Sequence, residues 1–216
     1  MFDYLSSPIR WCESKFVYSD YIVEFWNSFS SFAFTIVGFY GYHIHKNLEI
    51  DNMPWLLLAS IGLTSFIFHS TLSFFGQFID EFSIVLLMTY SIKKIYKLNF
   101  ILFSFLLTIF SSISWYVPSY SPFIFMILLT PVTLFTKNLI SDNISENVWK
   151  LGIKFGFFSI VLWYFDFLCF FNTHCFWHIF CSIGSYYFML LVVKEEKTVI
   201  KNSFIPRLTL YKKKKI

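Results

Sequence analysis

Two short stretches of this 216-residue chain carry the side chains best suited to chemistry. The first runs Thr64-Ser-Phe-Ile-Phe-His-Ser-Thr-Leu-Ser-Phe-Phe-Gly-Gln-Phe-Ile-Asp-Glu81. It closes one apolar segment, is expected to turn at Gly76, and opens the next, placing Ser65, His69 and Asp80 around the turn. The second, His174-Cys-Phe-Trp-His178, sets two imidazoles one helical turn apart on one face. Neutral imidazoles suit zinc, and three of them with one open position form a catalytic pattern. His69, His174 and His178 are therefore the expected ligands of a zinc ion, which would lower the pKa of a water to about 7. Ser65 precedes His69 by one turn and shares its face, where it could donate to that water or to a developing oxyanion. Asp80 could take a proton from the water and return it to a leaving group. It could equally accept from a histidine N–H, and the two roles are compatible.

These groups sit in an apolar chain. It is 56% hydrophobic and 14% charged, with a mean hydropathy of +0.61. A soluble domain carries about a quarter charged residues, so the expected class is an integral membrane protein. The abundance of Phe, 31 residues, reads as lipid-facing surface rather than a nucleic-acid or cofactor platform. Cys12, Cys169, Cys175 and Cys181 lack C-x-x-C spacing, which argues against zinc held by thiolates. The N-terminus has neither the basic nor the apolar region of a cleaved signal peptide, so the first apolar helix is expected to direct insertion.

A membrane span needs about 20 mostly apolar residues. Segments 25–45, 54–74, 78–96, 98–117, 120–140, 149–170 and 174–193 meet that length, which predicts an all-α, seven-helix polytopic bundle. Pro131 is expected to kink the fifth. Fifteen of the seventeen Lys and Arg residues fall on one side of this arrangement, leaving Arg10 and Lys15 on the other. The positive-inside rule then gives a lumenal N-terminus and a cytosolic C-terminus. Residues 1–193 read as one membrane domain, including an N-terminal amphipathic segment 8–24, and 194–216 as a basic cytosolic tail. The terminal Lys213-Lys-Lys-Ile216 is similar to a dilysine signal for retrieval to the endoplasmic reticulum. It also reads as a basic cluster against anionic headgroups.

Ionisable side chains within spans usually mark function. In this topology His69, Asp80, Glu81, His174 and His178 all fall at the lumenal end of the bundle. A proton or ion relay would also explain buried His and Asp, but not three imidazoles at one depth with i, i+4 spacing.

The chain resembles the alkaline ceramidase family, within a superfamily of seven-span membrane hydrolases that includes the adiponectin receptors. The resemblance rests on Trp11-Cys-Glu13 with Tyr21-Ile-Val-Glu-Phe-Trp-Asn27, on Phe68-His-Ser-Thr-Leu72 with Gln77-Phe-Ile-Asp-Glu81, on Trp163-Tyr-Phe-Asp166, and on His174-Cys-Phe-Trp-His178 with Gly184-Ser-Tyr186. It spans residues 8–193 and implies hydrolysis of the ceramide amide to a sphingoid base and a fatty acid. By position it makes His69, His174 and His178 the zinc ligands, Asp80 the acid/base and Ser65 its helper at the metal. The substrate would be a membrane lipid, and the location the endoplasmic reticulum or Golgi membrane. A receptor-like or lipid-sensing member with slow or no hydrolysis is the alternative.

The family also has a calcium site on its N-terminal segment. Trp11, Glu13 and Glu24 match ligand positions, but Arg10 stands in place of an aspartate and Lys15 in place of an asparagine. Calcium needs several oxygen ligands, and two cations oppose it. Arg10 and Lys15 are expected instead to replace the ion by pairing directly with Glu13 and Glu24. The other reading is a charged surface helix. Family members also cross-link regions equivalent to Cys12 and Cys169, which implies a disulfide in an oxidising lumen.

Overall fold

Local chemistry at the helix ends, more than apolar length, decides where each helix begins. The computed structural model describes residues 6–47, 50–126, 136–140 and 142–194; Pro131 and the tail beyond 194 lie outside the described residues. All regular structure among them is helical: α1 Phe25–His45, α2 Met53–Thr71, α3 Phe74–Tyr96 and α4 Phe100–Tyr116. Then come α5, helical from 121 to 126, a short 3₁₀ helix Thr136–Leu139, α6 Asn143–Phe167 and α7 His174–Lys194. The first and last helices match the sequence expectation closely. However, α3 starts at Phe74 rather than 78, and α6 at Asn143 rather than 149. In both cases a polar cap sets the start. Ser73 Oγ accepts from Gly76 N at 3.0 Å, and Asp142 Oδ1 accepts from Ser145 N at 2.7 Å.

The turn between α2 and α3 is accordingly at Leu72–Ser73, with Leu72 in the left-handed region at φ 45°, and not at Gly76. Gly76 belongs to the first turn of α3.

Among the described residues, Met53–Thr71, Asn143–Phe167 and His174–Val193 are long and apolar enough to cross a membrane, and Phe100–Tyr116 is a shorter apolar helix. The lengths of α1 and α3, 21 and 23 residues, would also suffice. Their apolarity is diluted by side chains they turn inward, Asn27, Ser28 and Ser31 on α1 and Gln77, Asp80 and Glu81 on α3.

The centre of the bundle is α7, whose residues Leu190 to Val193 are at most 1% exposed. It packs against α1 and α6 and touches α2 and α3. The closest helix contact is α1 on α2, where Gly38 and Gly41 let the backbones meet. A Cβ at Gly38 would lie 2.7 Å from both Ala59 Cα and the Trp55 carbonyl, and one at Gly41 would enter the Trp55 ring. By contrast α4 buries only Ser114 and turns Phe100, Ile101 and Phe105 outward.

Residues 8–24 are not helical. They run as bends and turns across one end of the bundle. Val23 N donates to Ser70 O at 3.0 Å, Glu24 N to His69 O at 3.1 Å and Ser7 N to Leu72 O at 2.8 Å. The segment thereby satisfies carbonyls that the end of α2 leaves without helical partners.

At the other end of α2, Asp51 ties the α1–α2 connection to α3. It accepts from Met53 N at 2.9 Å, Tyr90 Oη at 2.5 Å and Lys94 Nζ at 3.2 Å. Burial alone would raise its pKa, but these three donors outweigh it and hold the carboxyl below the ordinary 3.8. A carboxyl depressed in the folded state stabilises fully above its unfolded pKa, and that stabilisation disappears as pH falls through the folded value. Asp51→Asn is expected to cost about 1 kcal/mol near neutral pH in detergent unfolding. The difference from the parent should shrink as pH falls through the folded value, which lies below the ordinary 3.8; a difference that stays constant on acidification would contradict the charge-based account.

Candidate active site

The end of α2, the start of α3 and the start of α7 meet at one end of the bundle, and their side chains build the site. His69 comes from the last turn of α2, while His174 opens α7 and His178 follows one turn on. All three are at most 1% exposed, and one ring nitrogen of each lies within 4.8 Å of the others. The ring centroids of His69 lie 5.0 Å from those of both His174 and His178.

The outer nitrogens of two rings are held by other helices. His69 Nδ1 donates to Glu24 Oε2 at 2.7 Å. Ser30 Oγ on α1 lies 2.8 Å from His178 Nδ1 and gives its own proton to Asn27 O at 3.1 Å. His178 Nδ1 is therefore the donor to Ser30, and its Nε2 carries the lone pair. That Nε2, like His174 Nδ1, is buried without a partner. His174 has no such outer hydrogen bond among those described. Instead it lies between two indoles, with Trp11 stacked at 3.8 Å and Trp177 at 4.8 Å between centroids.

The N-terminal segment carries the carboxylates that brace this end. Glu13 accepts from Trp26 N at 2.7 Å and Asn27 N at 2.8 Å, capping α1 from a distance. Glu24 holds His69 and also accepts from Asn27 Nδ2 at 3.1 Å. Burial pushes the Glu24 carboxyl up to about 7, against the pull of Asn27 and Lys15. Burial also raises Glu13, despite its two backbone donors.

Direct pairing of Arg10 and Lys15 with these carboxylates is not what the structure contains. Among the described residues neither cation forms an ion pair with Glu13 or Glu24: backbone amides take both Glu13 oxygens, His69 and Asn27 take Glu24 Oε2, and Glu24 Oε1 is left buried without a partner. Lys15 acts on Glu24 only through its field.

Asp166, near the end of α6, fastens the segment from the opposite side. Its Oδ1 accepts from Thr173 N at 2.9 Å and His174 N at 3.0 Å, and its Oδ2 from Cys12 N at 3.2 Å. Cys12 is in turn disulfide-bonded to Cys169. One carboxylate thus caps α7 at its first histidine and anchors the residue next to Trp11.

A cavity of about 140 Å³ opens from the histidines into the bundle. His69, His174, Asp80 and Glu81 line it together with apolar side chains of α2, α3, α5 and α7, among them Ile61, Leu87, Met88 and Phe125. Ser65, buried on α2, directs its hydroxyl to the Asp80 carboxyl. Asp80 Oδ1, Glu81 Oε2 and the indole N–H groups of Trp11 and Trp177 are buried with no hydrogen-bond partner. The arrangement brings three imidazoles that could hold a metal ion, a buried carboxylate and an apolar slot together at one end of the bundle.

The ceramidase family model matches residues 3–203 of this chain. The chain belongs to the ceramidase family. It is 29% identical over 222 residues to the alkaline ceramidase of Drosophila melanogaster, covering 86% of this chain and 76% of that protein. Against alkaline ceramidase 1 of Mus musculus the identity is 30% over 212 residues, covering 85% and 78%. A shorter match to alkaline ceramidase 1 of Homo sapiens is 41% identical over 93 residues, covering 41% and 35%.

In this ceramidase-family chain several supporting residues had no individual signature in the sequence. Ser30 looks like any hydroxyl on an apolar helix, and only the fold brings it to His178. Glu24 was assignable to a cation site by resemblance, yet its partner is an imidazole. Asp166 stood in a family motif, but its three backbone donors come from two distant segments. Asp166→Ala would leave those buried donors unpaired, at about 1–3 kcal/mol for each fully buried one. It is expected to lower the detergent unfolding temperature and to speed reduction of the Cys12–Cys169 bond. Reduction at the parent rate would show that Asp166 does not hold the N-terminal segment.

Proposed function

We propose that this chain is a zinc-dependent intramembrane amidase that cleaves ceramide to a sphingoid base and a free fatty acid. The observation that carries it is the group of three buried imidazoles, two of which, His69 and His174, line an apolar cavity that Asp80 also lines. The names of its relatives supply the substrate class, a bilayer lipid with two chains and an amide between them.

The donor set fits zinc. His69 and His178 each donate through Nδ1 to an oxygen and keep Nε2 for a ligand, and His174 has an unpaired Nδ1. An imidazole whose other nitrogen donates to a carboxylate, as His69 does to Glu24, is a familiar metal ligand with its tautomer fixed. When bound, zinc would supply Lewis acidity toward a water and a carbonyl oxygen at neutral pH.

The remaining chemistry belongs to the chain. Water adds to the amide carbonyl carbon, and Asp80 takes the proton that the water loses. As the C–N bond breaks, Asp80 returns that proton to the departing nitrogen, giving a free amine and a carboxylic acid. Ser65, hydrogen-bonded to Asp80, fixes which carboxylate oxygen faces the reacting atoms. Trp11 and Trp177 hold the His174 ring between them and keep bulk water from it. The apolar walls take the acyl and sphingoid chains, which enter sideways from the bilayer.

This function sits best in a seven-span topology with the site at the lumenal end and the basic tail in the cytosol of endoplasmic reticulum or Golgi membranes. Lys93 and Lys94, in the last turn of α3 at the far end from Asp80, support that orientation. The residues at the family's calcium positions do not fit calcium. Both Glu13 oxygens cap α1 and Glu24 Oε2 holds His69, which leaves Glu24 Oε1 as a single unpaired carboxylate oxygen where calcium needs several, and Arg10 and Lys15 bring positive charge.

Purified protein is expected to hold about one zinc per chain, lost in His174→Ala. Incubated with a ceramide panel, it should release free sphingoid base detectable by mass spectrometry. Asp80→Ala should keep the zinc and lower the release at least a hundredfold, on the order of a lost general acid/base. Zinc retained by a protein that hydrolyses no ceramide would move the reading to a lipid-sensing relative. Release is also expected to be unchanged by EGTA; strong inhibition reversed by added calcium would refute the loss of the calcium site.

A further inference from the structure

Resting on the ceramidase reading, we infer that Glu81 is a specificity-determining residue whose Oε2 accepts a hydrogen bond from a hydroxyl of the sphingoid head. The observation is a buried carboxylate with one oxygen fully engaged and the other free, on the wall of the reaction cavity. Glu81 is 5% exposed and lines the cavity beside Asp80. Its Oε1 accepts from Gln77 Nε2 at 2.8 Å and from Ser121 Oγ at 2.7 Å. Its Oε2 has no partner.

The carboxyl cannot turn away from its donors at low cost. Gln77 spends one amide proton on Glu81 and the other on Pro118 O at 2.8 Å, and its own Oε1 accepts from Ser7 Oγ at 2.7 Å. The amide is thus saturated and its orientation fixed. Turning the Glu81 carboxyl over would set the free oxygen against these donors and change nothing chemically. Turning it away would strand the Gln77 and Ser121 donors inside the bundle. Ser7, α3, the α4–α5 connection and α5 all contribute to holding one oxygen, so the network presents the other.

A buried, unpaired carboxylate oxygen is costly unless something donates to it. Ser114 on α4, buried and outside the cavity wall, also turns its hydroxyl to this carboxyl, but a carboxylate oxygen accepts from more than one donor, and the side facing the cavity stays open to a second. What the cavity can receive is a ligand. In a ceramide the carbons on either side of the nitrogen-bearing carbon carry hydroxyls. With the amide at Asp80 and the histidines, those hydroxyls fall within the reach of the next residue of α3. Glu81 therefore distinguishes a hydroxylated sphingoid amide from a plain N-alkyl amide, whose chains the apolar walls would accept equally well. Asp80 moves the proton, and Glu81 selects the molecule.

The test compares release of long-chain base from ceramide, 1-deoxyceramide and 3-deoxyceramide by the zinc-loaded full chain and by Glu81→Gln. The variant keeps the size of the side chain and an acceptor for Ser121. The parent is expected to prefer ceramide over at least one deoxy analogue by roughly ten- to a hundredfold in kcat/KM, the scale of a hydrogen bond to a buried charged group. E81Q should lose activity on ceramide but not on that analogue, so that the preference collapses, with most of the change in KM. Equal loss on all three substrates, with zinc content unchanged, would overturn the inference and leave a purely structural Glu81. A parent with no preference would overturn it as well, while leaving the hydrolase reading intact. A parent that hydrolyses none of the three would overturn the hydrolase reading itself and this inference with it. Should E81Q not accumulate, Ser121→Ala removes one donor from Oε1 and leaves Glu81 in place; it is expected to narrow the preference in part, and an unchanged preference would count against the role of the network.

Discussion

A hydrogen bond between His69 and Glu24 joins the last turn of α2 to the residue that precedes α1, and much of the site depends on it. The bond is possible because the N-terminal segment does not leave the bundle but lies across its end. An imidazole facing an apolar interior has two nitrogens to account for, and a neutral ring can be satisfied only by one acceptor and one donor or metal. Glu24 supplies the acceptor. The remaining nitrogen must then look inward, toward the other two histidines. Burial makes the Glu24 carboxyl a reluctant anion, with its pKa near 7, and the Asn27 amide and the field of Lys15 are what oppose that. The same segment brings Trp11 onto His174 and Ser7 onto Gln77, so one unstructured-looking stretch supports both sides of the cavity.

Two kinds of constraint hold that segment, and they act at different places. Backbone pairing to Ser70, His69 and Leu72 fixes it to the end of α2. Asp166 and the Cys12–Cys169 bond fix it to the end of α6. Between them the segment bridges helices whose own direct contact is slight, since α2 and α6 meet mainly through α7. Covalent and hydrogen bonds thus hold it at both ends, with Glu13 spent on the start of α1.

What was legible in the sequence follows from which forces act locally. Apolar length marks helices, and i, i+4 spacing puts His174 and His178 on one face whatever the rest of the chain does. Helix starts were less legible, because a single capping hydroxyl or carboxylate, Ser73 or Asp142, outweighs the hydropathy of the residues it precedes. The turn illustrates the same competition. Gly76 was the obvious place for a break, yet Leu72 takes the left-handed conformation and Gly76 donates its N–H to Ser73 from inside the helix. Residues 8–24 alternate charge and apolarity as an amphipathic helix could, but their carboxylates find backbone donors and an imidazole outside the segment, and that pulls them into an extended path. Ser30 and Gln77 were invisible for a different reason: their partners are distant in sequence, and no spacing rule connects them.

The roles proposed for Asp80 and Glu81 differ because different neighbours hold the two carboxylates. On a helix they point about 100° apart, so one cavity can touch both while different neighbours hold each. Asp80 meets a single hydroxyl, Ser65, and is otherwise free to gain and lose a proton. Glu81 has its Oε1 enclosed by Gln77 and Ser121. A general base must change its protonation state during each turnover, and a carboxylate committed to several donors cannot do so without disturbing them. A recognition group has the opposite need, since its direction must not vary. The loosely held carboxylate therefore suits proton transfer and the tightly held one suits binding. The side chains that decide between the roles lie on α2, α3 and α5 rather than in the acidic pair itself.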